Sequence, residues 1–363
     1  MKKLLTLLAL LLTLGLCCAM AESAVYTSGE YAYTLLPDGT AEITGYTGSA
    51  VDLSLPAALD GHPVTGIGAR AFYQAALESV VIPEGVKRIG NNAFSGCSSL
   101  AHVVIPEGVT HIDSYAFFWC FALQEAELPR SLVSIGEQAF RRCTALESLH
   151  IPGGVTCIGS CAFADCYRIQ ALVIDEGVPA IGSMAFSGLT KLQSLVLPDS
   201  VTTIGEQAFS NCSLLGSVQL PQGLTSLGAG AFSGCSALSS IAIPAGVTAI
   251  GAGTFEYCWA LTDVTLPEGL LSIDMAAFFD CSALTSINIP GTVTAIGMEA
   301  FSHCHSLTLI VLPESLVTLD GRAFFDCPLL MVVVPGSNPE IFQTCMLYGV
   351  MAVFEDEYAA FFN

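Results

Sequence analysis

Cysteine and histidine are the residue types in this 363-residue chain most able to do chemistry, with 15 of the first and six of the second. Ten cysteines fall into one register, 23 residues or a multiple of 23 apart: Cys97, Cys120, Cys143, Cys166, Cys212, Cys235, Cys258, Cys281, Cys304 and Cys327. Thiols can pair, ligate metal or attack as thiolates. The register argues against the first two. Side chains stacked at strand spacing, about 4.8 Å, hold their Cβ atoms slightly too far apart for an ordinary disulfide. A straight column also cannot surround an ion tetrahedrally, and no C-x-x-C pair exists. Thiols filling a small apolar niche are the expectation. Cys157 and Cys161 stand outside the column, and their four-residue gap across a turn permits a local link.

The histidines (His62, His102, His111, His150, His303 and His305) show no evident nucleophile and acid partner. G-x-S-x-G, H-E-x-x-H, P-loop and dinucleotide fingerprints are absent, so no enzyme and no cofactor are expected. His303 shares a register with Asp280 and Asp326, 23 residues to either side. That predicts a carboxylate, imidazole, carboxylate stack about 5 Å apart. The expectation is a solvated hydrogen-bonding corner, with a metal ion as the alternative; no metal centre is assigned.

The register belongs to a repeat that dominates the chain. Phenylalanine recurs at 72, 94, 117, 140, 163, 186, 209, 232, 255, 278, 301 and 324, first 22 residues apart and then always 23. A period held without drift means that each unit stacks on the next in one register. Ile or Leu stands five residues before the Phe, Gly or Asp four before, and Ala one before, Thr254 excepted. The Gly/Asp column suggests a turn needing positive φ. Between successive Phe residues, a segment such as Leu100 to Ile105 reads as a strand facing Leu100, Val103 and Ile105 inward, stopped by Pro106. Val109 to Ile112 forms a second short extended piece, followed by a brief helical turn at Ala116-Phe117.

The pattern L-x-x-V-x-I-P-x-x-V-x-x-I-G-x-x-A-F-x-x-C, at Leu100 to Cys120 with Asp113 in the Gly place, resembles the BspA-like leucine-rich repeats of bacterial secreted and surface proteins, also called the Treponema pallidum type. The resemblance covers about Leu55 to Pro335. It implies a mostly β, leucine-rich-repeat-type right-handed solenoid of about twelve 23-residue coils, capped at both ends. It also implies attachment to macromolecules outside the cell, without naming the ligand.

Departures from consensus at exposed corners are then the informative residues. The corner after each Phe commonly reads as Ser95-Gly96-Cys97-Ser98 does. Three consecutive coils break this together, with Phe118, Trp119 and Phe121, then Arg141 and Arg142, then Tyr167 and Arg168. Stacking gathers them on one edge as an aromatic and arginine cluster, the types that dominate binding hot spots. A second candidate holds Tyr257, Trp259, Phe279, His303 and His305. Packing between adjacent corners is the structural alternative for both.

The ends and the composition bound the rest. Lys2 and Lys3, the apolar stretch Leu4 to Leu16 and Ala19-Met20-Ala21 read as a secretory signal peptide, residues 1–21. Its removal takes the net charge from −21 to −23. A hairpin turning at Pro37-Asp38-Gly39 caps the start (22–54), the solenoid runs over 55–335 with Leu329 to Val334 as its last strand, and 336–363 close the far end. Thirty-two acidic against 11 basic side chains leave no basic face for nucleic acid. The hydrophobic fraction of 53% excludes a disordered chain. No apolar run after residue 21 has the roughly 18 to 20 residues of a spanning helix, so no membrane insertion is expected. The expectation is a secreted, monomeric binding protein for an extracellular protein or glycan; the alternative is an envelope or matrix scaffold without a discrete ligand.

Overall fold

The computed structural model describes residues 24–336 and 338–362, except for the side chains of 361 and 362. The segment expected to be a signal peptide, residues 1–21, lies outside the described residues, as do the Phe361 and Phe362 side chains. The chain is a leucine-rich-repeat-type β-solenoid. Each coil lays down a strand on one side, such as Ser79–Val81, His102–Val104 and Glu125–Ala126, paired in parallel with its neighbours. Pro106 follows the strand and its carbonyl accepts the Val109 N–H, opening the corner. A two-residue strand then joins a second parallel sheet, with His111 opposite Ser134 and Ile112 opposite Ile135. The partners are 23 positions apart, so hydrophobic residues of successive coils fall into register by sequence alone.

The third side differs from the expected helical turn. In the coil of Phe117, the N–H groups of Tyr115, Phe117 and Trp119 donate to Glu137, Ala139 and Arg141 of the next coil, at 2.8, 2.7 and 3.0 Å. Those of Ala116, Phe118 and Cys120 instead close turns on Asp113, Tyr115 and Phe117. Alternate donors thus serve the local turn and the neighbouring coil, and few backbone groups are left over. The alternation places residues two before and two after the Phe in the left-handed region, as at Tyr115 and Trp119, both with φ 62°.

The Gly/Asp column four before the Phe is not in that region, which corrects the sequence expectation. The constraint there is crowding. A Cβ on Gly90 would lie 2.7 Å from the Ile67 carbonyl oxygen of the previous coil, and one on Gly297 would lie 2.8 Å from the Met275 nitrogen. Asp113, in the same column, carries its carboxylate to Arg88 Nε at 2.6 Å. The Ala column beside the Phe is buried throughout, and its exception, Thr254, satisfies its hydroxyl on the Gly251 carbonyl at 2.8 Å.

Inside, the twelve phenylalanines form one file. Phe140 lies 5.1 Å from Phe163 and Phe163 5.7 Å from Phe186, all with nearly parallel rings. Leu, Ile, Val and Cys columns run alongside it in one continuous core. At the start, strands Val25–Ser28, Tyr31–Leu35 and Ala41–Tyr46 form an antiparallel meander, and the third pairs in parallel with His62–Ile67 of the solenoid. Tyr46 sets its ring 5.6 Å from Phe72, ending the file with an aromatic lid. At the far end, Met331–Val334 is not the last strand. Helix Pro339–Leu347 buries Ile341 and Cys345, and Met351–Phe354 then adds in parallel to Met331–Val334. Phe354 stacks on Phe342 at 4.2 Å.

Candidate functional site

The corner after the Phe is where the sequence departs most from its own consensus, and its geometry explains which side chains meet. The third residue after the Phe is the column Cys, turned into the core; the second and fourth project from the corner. Trp119 and Phe121, Tyr257 and Trp259, and His303 and His305 are such pairs, with ring centroids 6.2, 6.4 and 5.8 Å apart. The second position is always left-handed. Among its twelve occupants, eight are Gly, Asn, Asp or His, which tolerate that region, His303 among them; three of the other four are Trp119, Arg142 and Tyr257.

In the first cluster Phe118 stacks on Trp119 at 4.7 Å and packs edge-on against Tyr115 at 5.5 Å. Trp119 and Phe121 are each 42% exposed, so the stacked face meets solvent. Trp119 donates its backbone N–H to the carbonyl of Arg141, which joins the aromatic coil to the basic one. Arg141 Nε and Arg142 Nε both reach Asp165 Oδ2, at 3.3 and 3.4 Å. Partial burial, then the nearby Asp165 carboxylate, push the Tyr167 hydroxyl above its ordinary range. Asp165, which the sequence did not single out, is therefore the hub of this cluster. Arg168 is not gathered with it; Nη2 pairs with Glu147 Oε1 at 2.7 Å.

The second cluster is a chain of ring contacts crossing four coils. Trp259 meets Tyr257, Tyr257 meets Phe279 at 5.5 Å, Phe279 meets His303 at 5.1 Å, and His303 meets Phe325 at 5.7 Å. Phe325, 57% exposed, extends the run and was not singled out in the sequence, although it shares the column of Phe118 and Phe279. The expected carboxylate, imidazole, carboxylate stack is only half formed. Asp280 turns to Trp259 and accepts its indole N–H at 3.0 Å. Asp326 Oδ2 faces His303 Nδ1 at 2.9 Å and His305 Nε2 at 3.1 Å. Those two contacts, that from His305 the larger, hold the Asp326 carboxyl below its ordinary value.

The cysteine column is chemically quiet. Cys120 Sγ donates to the Phe94 carbonyl at 3.2 Å and Cys143 Sγ to that of Phe117 at 3.3 Å, and the other members repeat the contact. Burial pushes the thiols up, to about 12 at Cys97, Cys166 and Cys258, so they are poor nucleophiles and ligands. Cys157 and Cys161 are both free; Cys161 Sγ lies 3.8 Å from Met184 Sδ of the next coil.

A parallel solenoid of 23-residue coils with a file of core aromatics and substituted corners defines a repeat protein of the leucine-rich class. The sequence profile of the BspA type leucine-rich repeat region matches residues 65–193, 179–308 and 230–349, and the chain belongs to that family. It is similar to the solved leucine rich cell surface protein of Faecalibacterium prausnitzii, with 31% identity over 90% of this chain and 98% of that one and a TM-score of 0.62. A leucine-rich repeat protein from Bacteroides ovatus shares 27% identity over 91% of this chain and 99% of that one, with a TM-score of 0.61. The pneumococcal vaccine antigen PcpA shares the fold at 16% identity, with a TM-score of 0.56 and 92% and 99% of the two chains covered. No curated protein matches in sequence. Among the described residues, no helix is long and apolar enough to cross a membrane.

Proposed function

We propose that this is a secreted or surface-associated, noncatalytic binding protein that contacts extracellular proteins or glycans through the corner edge of its solenoid. The similarity to a cell surface protein of Faecalibacterium prausnitzii supports the compartment. One observation carries the binding role: three of the four residues poorly suited to the left-handed second position, Trp119, Arg142 and Tyr257, lie in the two clusters. A bulky residue there costs on the order of 1 to 2 kcal/mol of backbone strain. Gly or Asn would fold more easily, so what Trp119, Arg142 and Tyr257 supply is their exposed surface.

Flat exposed rings beside guanidinium groups suit sugar faces and the apolar anchors of protein partners. The test is to present the purified chain to a glycan array and to immobilised matrix proteins. Saturable binding is expected, lost when Trp119, Arg141 and Arg142 are changed together to Ser or when Tyr257 and Trp259 are, with thermal unfolding nearly unchanged in both. A large fall in melting temperature assigns the residues to packing. Self-association without any bound ligand favours the scaffold.

A further inference from the structure

We infer that His303, His305 and Asp326 form a binding site for one divalent first-row transition-metal ion of the zinc type, at the C-terminal end of the aromatic run. The corner geometry repeats three times with different donors against an aspartate of the next coil. Arg142 faces Asp165, Trp259 faces Asp280, and the His303 and His305 pair faces Asp326. Guanidinium and indole groups can only donate hydrogen bonds, so the first two corners are complete as they stand. Imidazole is different, because either ring nitrogen offers a lone pair when the proton sits on the other.

The donor atoms of the three side chains lie within 4.8 Å of one another. Ligand atoms about 2.0 to 2.2 Å from a tetrahedral zinc stand roughly 3.3 Å apart, so the observed 2.9 and 3.1 Å contacts need a few tenths of an ångström of opening, and the two imidazole nitrogens, within 4.8 Å of each other, close by a rotation of the exposed His305 ring. On binding, each neutral imidazole turns the lone pair of its near nitrogen to the ion and carries its single proton on the far nitrogen. A proton that had faced the carboxylate passes through solvent to that far nitrogen. Two imidazoles and one carboxylate match the borderline preference of zinc, nickel and copper over calcium or magnesium, which take oxygen ligands. Three ligands leave an open position, and Phe279 and Phe325, edge-on to the His303 ring, restrict its orientation. Cys304, between the histidines, is no ligand; its thiol faces inward to the Phe278 carbonyl at 3.2 Å. The site does not depend on the identity of any partner.

Isothermal titration of the untagged chain with zinc, with calcium as control, tests the assignment. One zinc equivalent is expected, with affinity falling at least tenfold in His303→Ala, His305→Ala and Asp326→Asn, and unchanged in Asp280→Asn and Cys157→Ser. Cobalt, loaded in place of zinc, is expected to give visible d–d bands that vanish in the same three variants. Unchanged melting temperatures are expected, because all three side chains are a third or more exposed. Stoichiometric zinc binding that survives the His303→Ala, His305→Ala double variant, or no binding below millimolar zinc, would overturn it.

Discussion

Cys120 Sγ sits 3.2 Å from the carbonyl oxygen of Phe94, one coil earlier, and that same oxygen accepts the backbone N–H of Cys97. Each core thiol thus caps the second lone pair of a carbonyl that the turn leaves half used. The arrangement favours the neutral thiol, and burial raises its ionisation from an ordinary 9.0 to about 12 at Cys97, Cys166 and Cys258.

Alkaline conditions should therefore unfold the chain. A group whose folded pKa is raised contributes stability that is fully present below the unfolded value and lost as pH climbs through the folded one. Between pH 8 and pH 10, each such thiol should lose on the order of 1 kcal/mol, because the unfolded chain releases its proton and the core does not. Urea midpoints under reducing conditions should fall steeply across that window. Replacing Cys97, Cys166 and Cys258 together by Ala should flatten the fall.

The Phe file sets the second expectation. Phe163 is fully buried between Phe140 and Phe186. Phe163→Ala should cost roughly 3 to 5 kcal/mol, since neighbouring coils held by their own hydrogen bonds cannot collapse onto the cavity. Phe163→Leu, which keeps most of the volume, should cost less than half as much. Denaturant unfolding followed by far-ultraviolet circular dichroism distinguishes the two.

Much of this was legible in the sequence because a 23-residue period turns arithmetic into geometry. Phe140, Phe163 and Phe186 stack as the spacing dictates, and Leu100, Val103 and Ile105 all face the core. Column arithmetic fails where a side chain reaches diagonally. It placed Asp280 beside His303, whereas the side chain four residues after one Phe reaches the one two residues after the next, as Trp259 reaches Asp280. The same diagonal draws His305 to Asp326. Asp165 was missed for a related reason: it fits the consensus, and only its neighbours Arg141 and Arg142 reveal its role. The Gly column was located but misexplained, because crowding by an adjacent coil leaves the same mark in a sequence as a positive φ.

That distinction is measurable at Gly228. A Cβ there would lie 2.5 Å from the nitrogen of Glu206 and 2.5 Å from the carbonyl carbon of Gly205, both backbone atoms that cannot rotate away. Gly228→Ala should destabilise by about 1 to 3 kcal/mol, as overpacking does. At Gly96, φ is 77° and the obstacle is the flexible Gln74 side chain. Gly96→Asn should therefore cost less than about 1 kcal/mol, Asn being at home in that region. Thermal melts of both variants check the order.

Asp165 bears on what kind of ligand the first cluster accepts. Its carboxylate faces two guanidinium groups at once, a basic pair on an otherwise acidic protein. Asp165→Asn removes the carboxylate that both guanidinium groups face and makes the corner one unit more positive. The contacts are longer than 3 Å and partly exposed, so stability should change by less than about 1 kcal/mol. The Tyr167 hydroxyl, raised in part by the same carboxylate, should titrate lower in an ultraviolet pH titration of the variant. An acidic peptide or sulfated glycan should then bind several-fold tighter at low salt, the gain fading as added salt screens the arginines, while a neutral glycan should bind no tighter. Weaker binding of an acidic ligand to the variant would mean that Asp165 touches the ligand itself, and that Arg141 and Arg142 serve to position that carboxylate.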